Sequence, residues 1–245
     1  MRVLLPSPVE EVDVHAFYAA DWLEPGGVRV NFVASVDGAA HAAGRSAGLQ
    51  TPGDNRIFAA LRDLADVVVA GAGTVTAEGY RPIIVSEPRR SIRRAYGFHD
   101  VLPTAVISRT LRVDASAPLF VDAVNDARTI VLTCDAAPVE QRTALERVAD
   151  VVICGAETVD PTLVRSALED RGLRRILSEG GPTAFADLVA GGVVDELCLS
   201  LSPVLVGPGP ARITAGARWE APVGLRLVGL LEEDGALFLR YRGSP

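Results

Sequence analysis

Five stretches of this chain combine residue types and spacings that could do chemistry. The first is Ser178-Glu179-Gly180-Gly181-Pro182-Thr183, placed directly after the apolar pair Ile176-Leu177. It reads as a short strand, a double-glycine turn and a helix that starts at Pro182, where a missing N–H costs nothing. A helix start of this kind points free N–H groups and a positive dipole end at whatever lies above the strand, which suits a phosphate. The same pattern also serves as an ordinary turn in any α/β protein.

A second glycine turn, Gly71-Ala72-Gly73-Thr74, follows the apolar run Val67 to Ala70. It lets a backbone approach a ligand closely, but it lacks the third glycine of the dinucleotide fingerprint, because Thr76 stands there. The third stretch is Thr51-Pro52-Gly53-Asp54, in which Thr51 is an N-cap and Asp54 begins the apolar stripe of Ile57, Phe58 and Leu61. Asp54 either completes the cap or is a partly desolvated acid with a raised pKa, able to donate a proton.

The fourth is Val28 to Val36, which alternates so that Asn31 and Ser35 share one face of a strand that Asp37-Gly38 closes. Such a polar face by default borders solvent, although the helix-rich context makes one-sided exposure less automatic. The fifth, Gly44-Arg45-Ser46-Ala47-Gly48, matches the G-x-S-x-G pattern of serine hydrolases. Its flanks are not the strand and helix that a nucleophile elbow needs, so the hydrolase reading fails.

Composition removes other classes. All 24 basic residues are arginine, which excludes a Walker-A loop, a lysine Schiff base and pyridoxal-phosphate chemistry. A net charge of -7 argues against general nucleic-acid binding and for a small-molecule partner. His15, His41 and His99 lack metal-ligand spacing, so no metal site is expected. Cys134, Cys154 and Cys198 sit in apolar runs and read as reduced core residues. Pro6 and Pro8 interrupt the apolar start, and no later run is long enough to span a membrane, so a soluble cytoplasmic protein is expected. Between Arg81 and Arg94 lies an irregular basic segment, either a solvated surface or a source of counter-ions for a phosphorylated substrate.

The elements that must position these groups alternate. Strands are expected at Thr104 to Ile107 (ending at Ser108-Arg109), Thr129 to Thr133 and Val151 to Gly155, with helices at Pro138 to Ala149 and from Asp160 to Gly172. Glu196 to Val206, Leu225 to Leu231 and Ala236 to Tyr241 then read as strands, the last two joined by an Asp234-Gly235 hairpin turn. The expected architecture is one α/β domain over residues 1–245: a mainly parallel sheet with helices on both faces and an antiparallel hairpin edge. Its core spans about 28–242, after an N-terminal extension over 1–27.

Taken together, Asn31 to Gly38, Leu61-Arg62 with Ala65 to Val75, Ser178 to Pro182 and Val194 to Gly207 resemble the reductase domain of the bifunctional riboflavin-biosynthesis deaminase/reductase family. The motifs occur in the family's order and span most of Val28 to Tyr241, and without the zinc signature of the deaminase half the sequence looks like a stand-alone reductase of that family. The resemblance implies a dihydrofolate-reductase-like fold, NADPH as cofactor and a phosphorylated pyrimidine as substrate. The reaction it implies converts the ribosylamino group of 5-amino-6-(5-phosphoribosylamino)uracil, or of the diaminopyrimidinone analogue, to ribitylamino.

By the same resemblance, Gly71, Gly73 and Thr74 with Glu179, Gly180, Gly181 and Thr183 would hold the nicotinamide ribose and pyrophosphate, and Ser108-Arg109 would meet the 2′-phosphate. Asn31, Ser35, Ser46 and Asp54 would line the substrate side, with Asp54, or else a bound water, donating the proton. A homodimer is also implied, with the Leu197 to Val206 strand able to pair across its interface. One departure stands out: family members commonly carry a lysine after the Asp-Gly pair, where this chain has Ala39. An arginine, with Arg81 to Arg94 as the candidate source, would have to supply that charge, or the substrate differs. The competing readings are a dihydrofolate-reductase-like enzyme for another pterin or pyrimidine, and a non-catalytic NADPH-binding protein.

Overall fold

The computed structural model describes residues 1–24 and 26–243. In chain order its elements are β1 (Arg2–Leu5), α1 (Val14–Ala19), β2 (Gly27–Ser35), α2 (Pro52–Asp63), β3 (Val67–Gly71), α3 (Ala72–Glu78) and α4 (Glu87–Ala95). There follow β4 (Thr104–Ile107), α5 (Pro118–Val121), β5 (Ile130–Thr133), α6 (Val139–Glu146), β6 (Asp150–Ile153) and α7 (Pro161–Glu169). The chain ends with β7 (Arg175–Ser178), α8 (Pro182–Ala190), β8 (Glu196–Ser202), β9 (Leu225–Glu233) and β10 (Ala236–Gly243). All strands join one ten-stranded sheet in the order β1-β9-β10-β8-β2-β7-β3-β4-β5-β6. From β8 to β6 neighbouring strands pair in parallel, and β10, β9 and β1 add on antiparallel. This is the α/β architecture read from the alternation of elements.

Helices cover both faces because the inner strands are apolar on both. Val68 belongs to the core beneath α1 and α2, whereas Val67 and Val69 belong to the core that α7 and α8 cover. Asp234 and Gly235 take φ of 50° and 81°, the left-handed pair that a two-residue hairpin needs.

The structure differs from expectation in several elements. β2 does not border solvent: it lies between β8 and β7 and is buried on both faces. β8 ends at Ser202 rather than Val206, because Pro203 has no N–H to continue the ladder. It is bonded to β2 and β10 on its two sides, so Leu197 to Ser202 has no free edge to offer a partner subunit. Within the N-terminal extension, Arg2 to Leu5 is built into the sheet, paired to β9. The arginine-rich segment contains a helix, α4, rather than being irregular throughout.

A buried ion cluster ties the sheet's two halves together. Glu196 on β8 is opposed by Arg29 on β2, with Nε 2.7 Å from the carboxylate but not in line for a well-formed hydrogen bond. From β10, Arg240 approaches to 2.9 Å and Arg242 to 3.1 Å. Burial alone would raise the Glu196 pKa, but the three guanidinium groups hold it down at about 2. Excess positive charge is met by carbonyls at the end of α1 and just beyond it: Arg29 donates to Tyr18, Arg240 to Phe17 and Ala20, and Arg242 to Asp21. The Arg29 guanidinium also stacks 4.1 Å from the Trp22 ring.

Because its folded pKa is depressed, Glu196 contributes stability above its unfolded value of 4.5, and that contribution is lost as pH falls toward about 2. Glu196→Gln is expected to lower the unfolding free energy by about 3 kcal/mol, since it strands buried guanidinium groups, and to flatten the acid limb of the stability curve. Urea denaturation at several pH values measures both. An unchanged midpoint at pH 7 would remove the cluster from this role.

Candidate active site

A cleft of about 970 Å³ opens at the carboxyl ends of the parallel strands, where ligands enter open α/β sheets. The two glycine turns form its centre. β3 and β7 are parallel neighbours, so the turns that leave them lie side by side. Gly71 N–H donates to Gly180 O (2.8 Å), and Gly181 N–H donates to Thr74 Oγ1 (2.9 Å). Glycine is required here by packing: a Cβ on Gly180, whose φ is +86°, would come 2.5 Å from the Phe32 ring. One on Gly181 would meet Thr74 Oγ1 at 2.4 Å. At Gly73 no atom lies within 4 Å of an added Cβ, so that side of the turn is open.

Both turns lead into helices. In α8 the bond from Phe185 N–H to Gly181 O (2.9 Å) begins the ladder, which leaves the N–H groups of Thr183 and Ala184 free along the cleft. The Gly181 N–H is taken up by Thr74 Oγ1, whose own hydroxyl hydrogen remains available. The other donors left for a ligand come from the helix starts behind the two turns.

Along one wall run Asp54, Phe58 and Arg62, four residues apart on one face of α2. The Thr51 hydroxyl accepts the Asp54 N–H (3.1 Å), so the cap read from the sequence is present. The carboxyl beside the cap is also desolvated. Asp54 is only 4% exposed, and burial raises its pKa, with the Ser200 hydroxyl pulling the other way. At the floor, Glu179 accepts from Arg62 Nε (2.6 Å), Arg62 Nη2 (2.8 Å) and the Tyr80 hydroxyl (2.7 Å). Burial alone would lower the Arg62 pKa, but the charge and hydrogen bonds of Glu179 raise it. Burial, then Glu179, holds the Tyr80 phenol well above its ordinary range.

The cleft gathers Asn31, Ser46, Asp54, Gly71, Gly73, Thr74, Ser108, Arg109, Glu179, Gly181 and Thr183. Asn31 is 8% exposed, and its Oδ1 has no partner among the described residues. Ser46 N–H donates to Glu78 Oε1 (3.1 Å). Arg109 is exposed, with no ion-pair partner among the described residues.

Two expected residues are not on the cleft. Ser35 is fully buried, donating to Asp37 and accepting the Ala39 N–H (2.9 Å), so it shapes the turn after β2. Gly180 faces Phe32 and Gly71 rather than the opening.

The Arg81 to Arg94 segment is likewise not on the cleft wall. Arg93, buried and lowered to about 10 by desolvation, donates to the carbonyls of Arg62 (2.9 Å) and Ala65 (2.9 Å), capping the end of α2. Arg89 pairs with Asp63 (2.7 Å) and Arg94 with Asp100. The guanidinium groups on the cleft are those of Arg62 and Arg109. Sequence reading gave Arg62 and Tyr80 no role. The four-residue spacing from Asp54 through Phe58 to Arg62 was the available signal, whereas nothing local marks Tyr80.

Among the described residues no cluster of His, Cys, Asp or Glu could hold a metal ion, and no helix is long and apolar enough to cross a membrane. The open space at Gly73, the free N–H groups of α8, the unpaired Arg109 and the unmet Asn31 Oδ1 together fit an elongated, phosphate-bearing ligand with polar ends.

Comparison with known proteins bears on this site. The model of the RibD C-terminal domain matches residues 27–235. A 2,5-diamino-6-ribosylamino-4(3H)-pyrimidinone 5′-phosphate reductase of Archaeoglobus fulgidus is 31% identical over 74% of this chain and 81% of its own. The protein of the same name from Methanothermobacter thermautotrophicus is 29% identical over 76% of this chain and 81% of its own. Among solved structures, a pyrimidine reductase-like protein from Corynebacterium diphtheriae shares the fold with a TM-score of 0.86, at 23% identity, over 96% of this chain and 100% of its own.

The glycine geometry separates two roles. Gly180→Ala is expected to lower the unfolding free energy by about 2 kcal/mol, through the clash with Phe32 and the positive φ. Gly73→Ala is expected to leave it within about 0.5 kcal/mol. Equal losses in urea denaturation would contradict the open space at Gly73.

Proposed function

The chain belongs to the RibD C-terminal domain family, and on that premise we propose that it is an NADPH-dependent reductase of 2,5-diamino-6-ribosylamino-4(3H)-pyrimidinone 5′-phosphate in riboflavin biosynthesis. The uracil analogue is the second substrate to test. The observation that carries the reading is a desolvated carboxyl, Asp54, on the wall of a cleft whose other end has two helix starts and a free arginine.

In this reading the N–H groups of Thr183 and Ala184 and the backbone around Gly71 to Gly73 hold a pyrophosphate, and Arg109 beside Ser108 holds a 2′-phosphate. Asn31 and Ser46 face the substrate. When bound, the reduced nicotinamide supplies a hydride to C1′ of the open-chain imine form of the substrate. Asp54, whose pKa burial raises, is the group placed to give a proton to the imine nitrogen, so that the C=N π pair becomes the N–H bond of the ribitylamino product. Arg62 cannot substitute as the acid, because Glu179 holds it charged. Its role is to keep the Glu179 carboxylate neutralised and to brace Phe58, over whose ring it lies at 4.3 Å.

A protonated Asp54 is lost as pH rises through its upward-shifted pKa, so kcat/KM should fall on the basic side. Asp54→Asn should remove that limb and cost about 10²- to 10⁴-fold in kcat. NADPH oxidation with the phosphorylated pyrimidinone, with dihydrofolate in a parallel assay, measures both. Wild-type turnover by the variant with an unchanged pH profile would exclude Asp54, and turnover of dihydrofolate alone would replace the proposed substrate. On the cofactor side, Arg109→Ala should raise KM for NADPH about tenfold and leave KM for NADH unchanged. An equal rise for both would dissociate Arg109 from the 2′-phosphate.

A further inference from the structure

On the reading of NADPH as the cofactor, we infer that Asp187 of α8 selects its nucleobase: in a slot at the far end of the cleft, the carboxylate accepts a hydrogen bond from the exocyclic amino group of adenine. This contact is separate from the residues that hold phosphate.

The slot follows from the course of α8. Thr183, Asp187, Ala190 and Gly191 all line the cleft, and their spacing keeps them on one stripe of the helix. The cleft therefore runs along α8 from the free N–H groups at its start to Gly191, about 12 Å at roughly 1.5 Å per residue. Facing this stripe is the loop between β6 and α7, where Thr158, Val159 and Pro161 line the same cleft. That loop is set before any ligand arrives: Asp160 N–H donates to Cys154 O (2.7 Å), and the Asp160 carboxylate accepts the Thr162 N–H (2.8 Å), capping α7. The two walls meet at Gly191, where an added Cβ would stand 2.7 Å from Pro161 Cβ. Ile107 and Val159 pack in one apolar cluster with Phe185 of α8, so this arm of the cleft is apolar on its inner side. Past Arg109, Asp187 is the one charged side chain that lines it among the described residues.

The group that sits against Asp187 has to suit an unpaired carboxylate. Partial burial raises the Asp187 pKa, and no neighbouring group lowers it. Asp187 also stands one helical turn beyond the N–H groups proposed for the pyrophosphate, about 6 Å along the axis, where a further phosphate would be repelled. The uncharged, flat part of a dinucleotide with apolar faces is its base. Adenine offers a carboxylate a donor, its amino group, whereas hypoxanthine presents a carbonyl oxygen at the same place, acceptor against acceptor. An unpaired carboxylate on an apolar slot therefore selects adenine.

The test is isothermal titration calorimetry of the full-length, ligand-free protein with NADPH and with the analogue in which hypoxanthine replaces adenine. The wild type should bind the analogue about tenfold more weakly, the loss of one hydrogen bond to a charged group. Asp187→Ala should bind NADPH about tenfold more weakly than the wild type and should bind the two ligands equally. Asp187→Asn, whose amide donates as well as accepts, should also bind them equally, with NADPH near its wild-type affinity. Equal binding of the two by the wild type would overturn the role of Asp187 and leave the NADPH reading intact. An Asp187→Ala protein of wild-type Tm that keeps the preference for adenine would also overturn it, because the selectivity would then come from another group. Binding of neither ligand by the wild type would overturn the cofactor reading together with the role of Asp187.

Discussion

The fold depends on one buried carboxylate. Glu196 is the point where three guanidinium groups from β2 and β10 converge, and through them the parallel and antiparallel parts of the sheet are held in register. One negative charge cannot neutralise three positive ones in a desolvated place. The remainder is met by backbone carbonyls at the end of α1, where the helix dipole is negative, and by the rings of Trp22, Tyr18 and Phe17. The short helix α1 is therefore docked by charge as much as by apolar burial. It also closes the core that α2 packs against.

That docking has consequences for the cleft. α2 lies beside α1 and carries Asp54, Phe58 and Arg62 toward the opening. Its far end is held by Arg93, which fills the orphan carbonyls of the last turn, while Thr51 caps its start. A helix fixed at both ends can hold an acid at a set depth. The arginines of α4 contribute rigidity at this distance from the cleft, a different use of charge from meeting a substrate phosphate.

In the centre, the glycine turns work as a pair. The backbone of each satisfies a group on the other, so the shape of the cleft is set before any ligand arrives. Only Gly73 leaves room on the open side, while the spaces at Gly180 and Gly181 are already filled by Phe32 and Thr74. The Arg62–Glu179–Tyr80 group does the same for the floor, joining the end of β7 to α2 and to the segment after α3.

Much of this was determined by local sequence. Strand and helix alternation, the Asp234-Gly235 turn, the Thr51 cap and the helix start at Pro182 all follow from nearest-neighbour sterics and hydrogen bonding, which act within a few residues. The nearness of the Gly71 and Gly180 turns was not legible, because it follows from β7 being inserted between β2 and β3 about a hundred residues later in the chain. For the same reason the polar face of β2 read as solvent-facing: its partner charge, Glu196, is 167 residues downstream of Arg29. The surface that Arg81 to Arg94 seemed to offer was spent on Asp63, Asp100 and the end of α2, which no spacing within the segment could announce. Local chemistry determined the elements and left Asp54 as either a cap residue or a desolvated acid. Only the tertiary structure decided which charges meet, because a burial or an ion pair is set by strand order, and strand order is a property of the whole chain.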